Sequence, residues 1–249
     1  LDGKRYDDPT GKYYVGDEQA LLKAFWKNRD PRFNRACLYN GREWPVAGRS
    51  ADNRMYNALG VSNADDQYGV NPNAGVNAAN NDIFSGMYNY KVSDLSLTQD
   101  KVMTFDIDYI LMRFAEVMFI YAEAANENGH SDVAIDLLKQ IRKRAGIPGY
   151  GETVNLPKPT TTEEVMELIR KEKRIELSFE NCRYFDVRRW GLVNEYFNKA
   201  IHGMNVNYDG NEFFKRTEIV KRIFDRQYFF PIPQGEIDID KNLVQNTGF

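Results

Sequence analysis

A mostly α-helical fold with one long loop-rich region is what three features of the sequence predict. Residues 161–191 begin with a helix-capping signal and continue as an amphipathic helix. Residues 109–145 hold two more helical runs divided by a glycine, and residues 48–94 sustain no hydrophobic period. At 249 residues the chain suffices for one large domain or two small ones with a sizeable core.

Residues 1–15 read as loop, punctuated by Asp-Gly, Asp-Pro and Thr-Gly steps. Residues 17–28 predict a short helix with Ala20, Leu21, Ala24 and Phe25 on one side. Pro31 is expected to hold an extended turn, and residues 35–39 to form a strand ended by Asn40-Gly41. Between residues 40 and 95 asparagine, glycine, aspartate and tyrosine dominate. A stretch of this length without regular structure is either functional or a flexible surface insertion.

Residues 109–128 are apolar around almost the whole helix circumference and predict a helix buried on most sides. One polar stripe remains, formed by Arg113, Glu116 and Glu123. Gly129 ends this helix, and Ser131 is expected to cap the next, which runs to about Ala145 with Gly146 beyond. Ala134, Leu138 and Ile141 share a face of the second helix, and small Ala122 and Ala134 permit close approach. The pair resembles a tetratricopeptide hairpin, although no copy recurs at that repeat's period.

A Pro-, Gly- and Thr-rich connection leads to Thr161, which with Glu164 three residues on forms a capping box. Val165, Leu168, Ile169, Ile175 and Phe179 then fall on one helical face, with Glu172 and Glu176 in its middle, one turn apart. Carboxylates there need cationic partners. Arg170, Arg174, Arg183, Arg188 and Arg189 lie nearby in the chain. The expectation is a buried ionic network joining Glu172 and Glu176 to Arg113, Glu116 and Glu123, and to Arg183 or Arg189. Beyond it, residues 205–210 read as a turn. Pro231 and Pro233 exclude a central strand or helix, leaving residues 228–249 as an extended tail over the helices.

Several function classes are excluded. The formal net charge is −3, and the basic residues between Arg170 and Arg189 are interrupted by Glu172, Glu176, Glu180 and Asp186. That is a pattern of internal pairing, not a phosphate-binding stripe, so no nucleic-acid partner is expected. His130 and His202 lack the spacing of a zinc site or a nucleophilic triad, and no glycine-rich phosphate loop precedes a helix. Cys37 and Cys182 have no metal-ligand spacing and are read as free thiols rather than a disulfide. No catalytic residue, cofactor or metal is expected, and the paired acids are read as structural rather than as glycosidase carboxylates.

The run from Arg170 to Gly191 resembles the C-terminal signature of the SusD/RagB family, approximately R-x-E-R-x-x-E-L-x-F-E-G-x-R-x-F-D-L-x-R-W-G. The matching residues are Arg170, Glu172, Glu176, Leu177, Phe179, Glu180, Arg183, Phe185, Asp186, Arg189, Trp190 and Gly191. Lys173 replaces the second arginine, and Asn181 stands where glycine is usual. Three further segments resemble family elements in the same order. They are Arg29-Asp30-Pro31-Arg32-Phe33, the closing F-P-I-P run from Phe230 to Pro233, and Leu243 to Phe249, which resembles L-x-Q-N-P-G-Y with Thr247 for proline.

The resemblance implies a SusD-like α-helical fold with tetratricopeptide-like hairpins. It also implies a nutrient-binding lipoprotein on the extracellular face of the outer membrane, partnered by a TonB-dependent, SusC-like transporter. Residues 1–249 are then read as the C-terminal part of a longer protein: loop-rich insertion at 40–95, helical core at 109–191, extended tail at 228–249. The chain starts at Leu1 with no apolar signal stretch. The remaining N-terminal half is expected to carry the signal and lipid anchor, and to pack against the apolar helix. Family ligand sites are commonly built from loops in the region of residues 40–95.

That region supplies the right chemistry for an oligosaccharide, whose apolar C–H faces and hydroxyls call for exposed rings beside Asn, Asp, Gln and Arg. It holds Tyr39, Arg42, Trp44, Asp52, Asn53, Arg54, Tyr56, Asn57, Tyr68, Asn81, Tyr88 and Tyr90. The candidate ligand-binding residues are Trp44 first, then Asp52, Asn53, Arg54, Tyr56, Asn57 and Tyr68. For each ring, packing of the loop onto the helices is the competing role. A protein-binding helical scaffold and an α-helical glycoside hydrolase are the alternatives, and a peptide or another small nutrient is an alternative ligand.

Overall fold

The structure, a computed structural model, describes residues 29–39, 42, 87–94, 96–98, 101, 104, 106, 110–204, 216–221 and 229–246. The helix expected at 17–28 and the turn expected at 205–210 lie outside these. The described elements are, in chain order, α1 (Pro31–Ala36), β1 (Cys37–Tyr39), β2 (Met87–Asn89), α2 (Phe114–Glu127) and α3 (Ser131–Arg144). They continue with α4 (Thr162–Glu176), α5 (Cys182–Arg189), α6 (Val193–Tyr196), β3 (Ala200–Met204), β4 (Arg216–Lys221) and α7 (Gln234–Ile239). The fold is mostly helical, and no described helix is long and apolar enough to cross a membrane.

Helices α2, α3 and α4 enclose the main core, in which Phe119, Ala122, Ala134, Leu138, Ile141, Val165 and Ile169 are fully or almost fully buried. Ala122 and Ala134 have no exposed surface, as close packing of the α2–α3 hairpin requires. Gly129 and Gly146 follow α2 and α3 with left-handed backbones, the conformation glycine adopts without steric cost at helix ends. Ser131 is the first residue of α3 rather than its cap. Its hydroxyl donates to Asn126 Oδ1 at 2.7 Å, and Asn126 Nδ2 donates to the Thr162 carbonyl at 2.9 Å. One buried amide thereby ties the ends of three helices. At the start of α4 the capping box of Thr161 and Glu164 is present in both directions.

Five expectations need correction. Pro31 begins helix α1, where its missing N–H costs nothing, and Asp30 caps it. The strand is shortened to Cys37–Tyr39. Helix α4 stops at Glu176, so Phe179 leaves the core face, takes a left-handed backbone (φ 65°) and is half exposed. Helix α2 starts at Phe114 rather than at residue 109 and is not buried on most sides in this chain: Phe114, Val117, Ile120 and Tyr121 are exposed, as are Leu111 and Met112 just before it. The tail also contains a short helix, α7, capped by Pro233. There Gln245 exchanges two hydrogen bonds with the Ile232 backbone, at 2.8 and 2.9 Å, folding the tail on itself.

The acids of α4 are buried, as expected, but most of their partners are different. Glu172 is 1% exposed and meets Arg142 of α3, Arg32 of α1 at 2.8 Å and the Tyr150 hydroxyl at 2.8 Å. Glu176 meets Arg113 at 2.9 Å, Arg32 at 3.4 Å and Arg144. Burial alone raises the Glu176 pKa, but hydrogen bonding and charge from Arg113, with the charges of Arg144 and Arg32, outweigh it and hold the carboxyl below its ordinary value. Burial and the Glu172 charge push the Tyr150 phenol up.

A second buried group joins Lys173 to Asp186 at 2.7 Å and to Glu123 at 3.6 Å, with Arg189 bridging the two acids. Lys173, where the family has arginine, thus retains the pairing role. Arg183 stays outside, stacked over Tyr196 at 4.3 Å. Glu116 accepts only a weak bond from the Cys182 thiol at 3.5 Å and has no basic partner among the described residues. Cys37 and Cys182 are free, and burial with the nearby Glu116 pushes the Cys182 pKa up to about 11.

Two outcomes follow from this packing. Glu172→Gln strands Arg142 in the interior, takes one of the three acidic partners from Arg32, and is expected to cost about 3–5 kcal/mol in denaturant unfolding of the full-length protein; a change below about 1 kcal/mol contradicts the buried pairing. Asn181 has φ 61°, which explains why glycine is usual there and asparagine tolerated. Asn181→Gly should leave stability within about 0.5 kcal/mol, whereas Asn181→Val should cost more than about 1 kcal/mol; equal effects would show that the backbone conformation does not matter.

Candidate ligand-binding site

The Asn- and Tyr-rich segment is rooted on the helical scaffold through a two-stranded stem. Strands β1 and β2 pair antiparallel with Cys37 opposite Asn89, Leu38 opposite Tyr88 and Tyr39 opposite Met87. The segment therefore leaves and rejoins the scaffold at adjacent points. Leu38 and Tyr90 form a small buried cluster with Tyr88 against it. The Arg42 guanidinium lies 4.1 Å from the Tyr90 ring centre and bonds the Cys37 carbonyl, and the Tyr39 ring stacks on Phe33 at 5.5 Å. Tyr39, Arg42, Tyr88 and Tyr90 thus hold the stem together, and the packing role applies to them. Trp44, Asp52, Asn53, Arg54, Tyr56, Asn57, Tyr68 and Asn81 lie outside the described residues.

Beside the stem opens a cleft of about 730 Å³, within the size range of ligand pockets. Helix α1 contributes Arg32 and Arg35, the residues around the end of β2 contribute Asn89 and Lys91, and the approach to α2 brings Ile110 and Arg113. The end of α3 adds Arg144, and the end of α4 with its following turn adds Glu176, Phe179, Glu180 and Asn181. Sequence reasoning missed Arg35, Lys91 and Arg144 because they come from separate segments. Phe179 was assigned to the core face for want of a helix stop. The one signal for that stop was Asn181 in a position that glycine usually fills.

Electrostatics hold the cleft wall in place. Lys91 Nζ donates to the carbonyls of Glu176 at 2.7 Å and Ser178 at 3.2 Å, and Arg113 Nη2 donates to the Glu176 carbonyl at 2.7 Å. These cations satisfy the end of α4 and oppose the negative pole of its dipole. Both also bind Glu180, Arg113 through its Nε at 2.6 Å. Burial raises the Glu180 pKa, while Arg113 and Lys91 together bring it below the usual value. A second surface carries exposed aromatics: Tyr184 contacts Phe185, Phe197 and Phe230 at 5.3, 6.3 and 6.5 Å between ring centres, with Arg188 3.4 Å from the Tyr184 ring centre. Among the described residues no group of His, Cys, Asp or Glu could hold a metal ion.

Comparison with known proteins agrees with this arrangement. SusD-like protein P2 of Formosa agariphila is 33% identical over 142 residues, which make up 56% of this chain and 25% of that protein. A SusD-like protein from Bacteroides fragilis has a solved structure matching 93% of this chain and 41% of its own, with TM-score 0.72 and 27% identity. A SusD-like carbohydrate-binding protein from the same species matches 97% of this chain and 45% of its own, with TM-score 0.66 and 25% identity. The chain spans less than half the length of these relatives. Residues 2–249 match the model of the SusD family. With the motif acids seated in a helical core and that match running almost end to end, the chain belongs to the SusD family.

Proposed function

We propose that this chain is the ligand-presenting part of a protein that captures an oligosaccharide at the outer-membrane surface and passes it to a TonB-dependent, SusC-like transporter. The observation that carries the reading is the stem: a long Asn- and Tyr-rich segment mounted at one point on a cross-linked helical scaffold, beside a cleft. Loops on rigid scaffolds are where binding residues gather. The carbohydrate-binding relative from Bacteroides fragilis supports the ligand class. In this reading a lipid anchor in the rest of the longer protein holds it at the extracellular face, and the transporter supplies the channel.

The chemistry of the cleft supports binding over hydrolysis. A glycosidase needs an acid whose pKa is raised so that it can donate a proton. Glu176 and Glu180, the acids of the cleft wall, are paired with arginine and lysine and held below their ordinary values.

The exposed apolar row of Leu111, Met112, Phe114, Val117, Ile120 and Tyr121 favours a macromolecular contact. We read it as the seat of the N-terminal half, burying well over about 1,000 Å². Residues 1–249 expressed alone should aggregate or unfold without cooperativity, as followed by sedimentation and thermal melting; a monomer with a cooperative transition argues against this contact. For the ligand, Trp44→Ala in the full-length protein should weaken binding on a glycan array by about five- to hundred-fold, equivalent to about 1–3 kcal/mol. Its melting temperature should stay unchanged. A large fall in melting temperature with unaltered affinity makes Trp44 a packing residue.

A further inference from the structure

Among the described residues the charges around the cleft do not cancel. Of these, five basic side chains line it against the carboxylates of Glu176 and Glu180. Including the other partners of Arg32, namely Asp30 and Glu172, and also Arg142, which shares Glu172, six cations face four carboxylates. The surplus is localised. Arg35, in the last turn of α1, is exposed and has no ion-pair partner among the described residues. Arg144 bonds Glu176 through one nitrogen, while its side chain remains 61% exposed. Both open into the same cleft.

The rest of that wall suits a sugar ring. Phe179 is a half-exposed aromatic held in a left-handed backbone, a conformation that costs a non-glycine residue energy and recurs at ligand-contacting sites. Asn89 and Asn181 line the same cleft. An aromatic ring accepts the apolar face of a pyranose, and amides match its hydroxyls. A guanidinium adds what a neutral sugar does not need: a planar fork of donors complementary to a carboxylate or a sulfate ester. A neutral ligand would make no use of that charge.

We infer that the cleft takes an acidic oligosaccharide, with a uronate or sulfate group bound by Arg35 and Arg144 and a sugar face against Phe179. This rests on the glycan-binding reading and names its ligand class. The test is an array of neutral, uronate-bearing and sulfated oligosaccharides probed with the full-length protein. The strongest signal is expected from an acidic glycan and should fall as sodium chloride is raised. Arg35→Ala should weaken that glycan by at least about tenfold, the effect of losing one charge-assisted contact. Arg35→Glu should abolish binding, with melting temperature unchanged for both variants. Reducing the glycan's carboxylates to alcohols, or removing its sulfates, should reproduce the loss and identify which anion is recognised. A neutral glycan as strongest binder, or an Arg35→Glu variant that still binds the acidic one, overturns the inference and leaves the glycan-binding reading intact. No retention of any glycan overturns both.

Discussion

Two carboxylates deprived of water, Glu172 and Glu176, set the terms for the rest of this molecule. An ionised acid in a protein interior is tolerated only where cations and hydrogen bonds replace its hydration. The replacements come from three places far apart in the chain: Arg32 beside the loop stem, Arg113 at the mouth of α2, and Arg142 with Arg144 at the end of α3. Each of those segments is thereby fixed relative to α4. The network adds directional contacts to the close apolar packing of the core.

Local signals in the sequence predicted local structure well. The Thr161–Glu164 box, the stop at Gly129 and the small pair Ala122 and Ala134 each depend on residues a few positions apart, and each appears where expected. The burial of Glu172 and Glu176 was legible too, because helical periodicity places them on an apolar face. Of their partners Arg113 was legible, and it pairs with Glu176; the others were not. Sequence proximity pointed to Arg170, Arg174, Arg183, Arg188 and Arg189, and of these Arg189 reaches buried acids, bridging Glu123 and Asp186 instead of the α4 pair. Arg170 serves Glu163 and Glu167 on the outer face of α4, and Arg188 lies over Tyr184. Ion pairing in a core is decided by which helix ends converge, and a chain read linearly does not reveal that. Pro31 shows the complementary error: the same ring that forbids a helix interior favours a helix start.

The division of labour between scaffold and cleft is also electrostatic. In the interior each cation is matched to an acid, so that the charge has structural work and nothing left over. At the cleft mouth the matching lapses, and Arg35 and part of Arg144 face solvent. A solvent-exposed charge of this kind adds little to stability, since water screens it and no partner rewards it.

The two-stranded stem has a consequence for how this protein can diversify. Once Tyr39 and Met87 are held opposite one another, the chain between them is a closed loop in the sense of polymer statistics. Doubling its length adds only about 0.6 kcal/mol of closure entropy. Loop closure therefore sets little limit on the length of the chain between Arg42, which bonds the Cys37 carbonyl, and Met87. The pairing defines natural cut points for a graft: a recognition segment taken from one protein and inserted between these positions in another inherits its anchorage from the recipient scaffold.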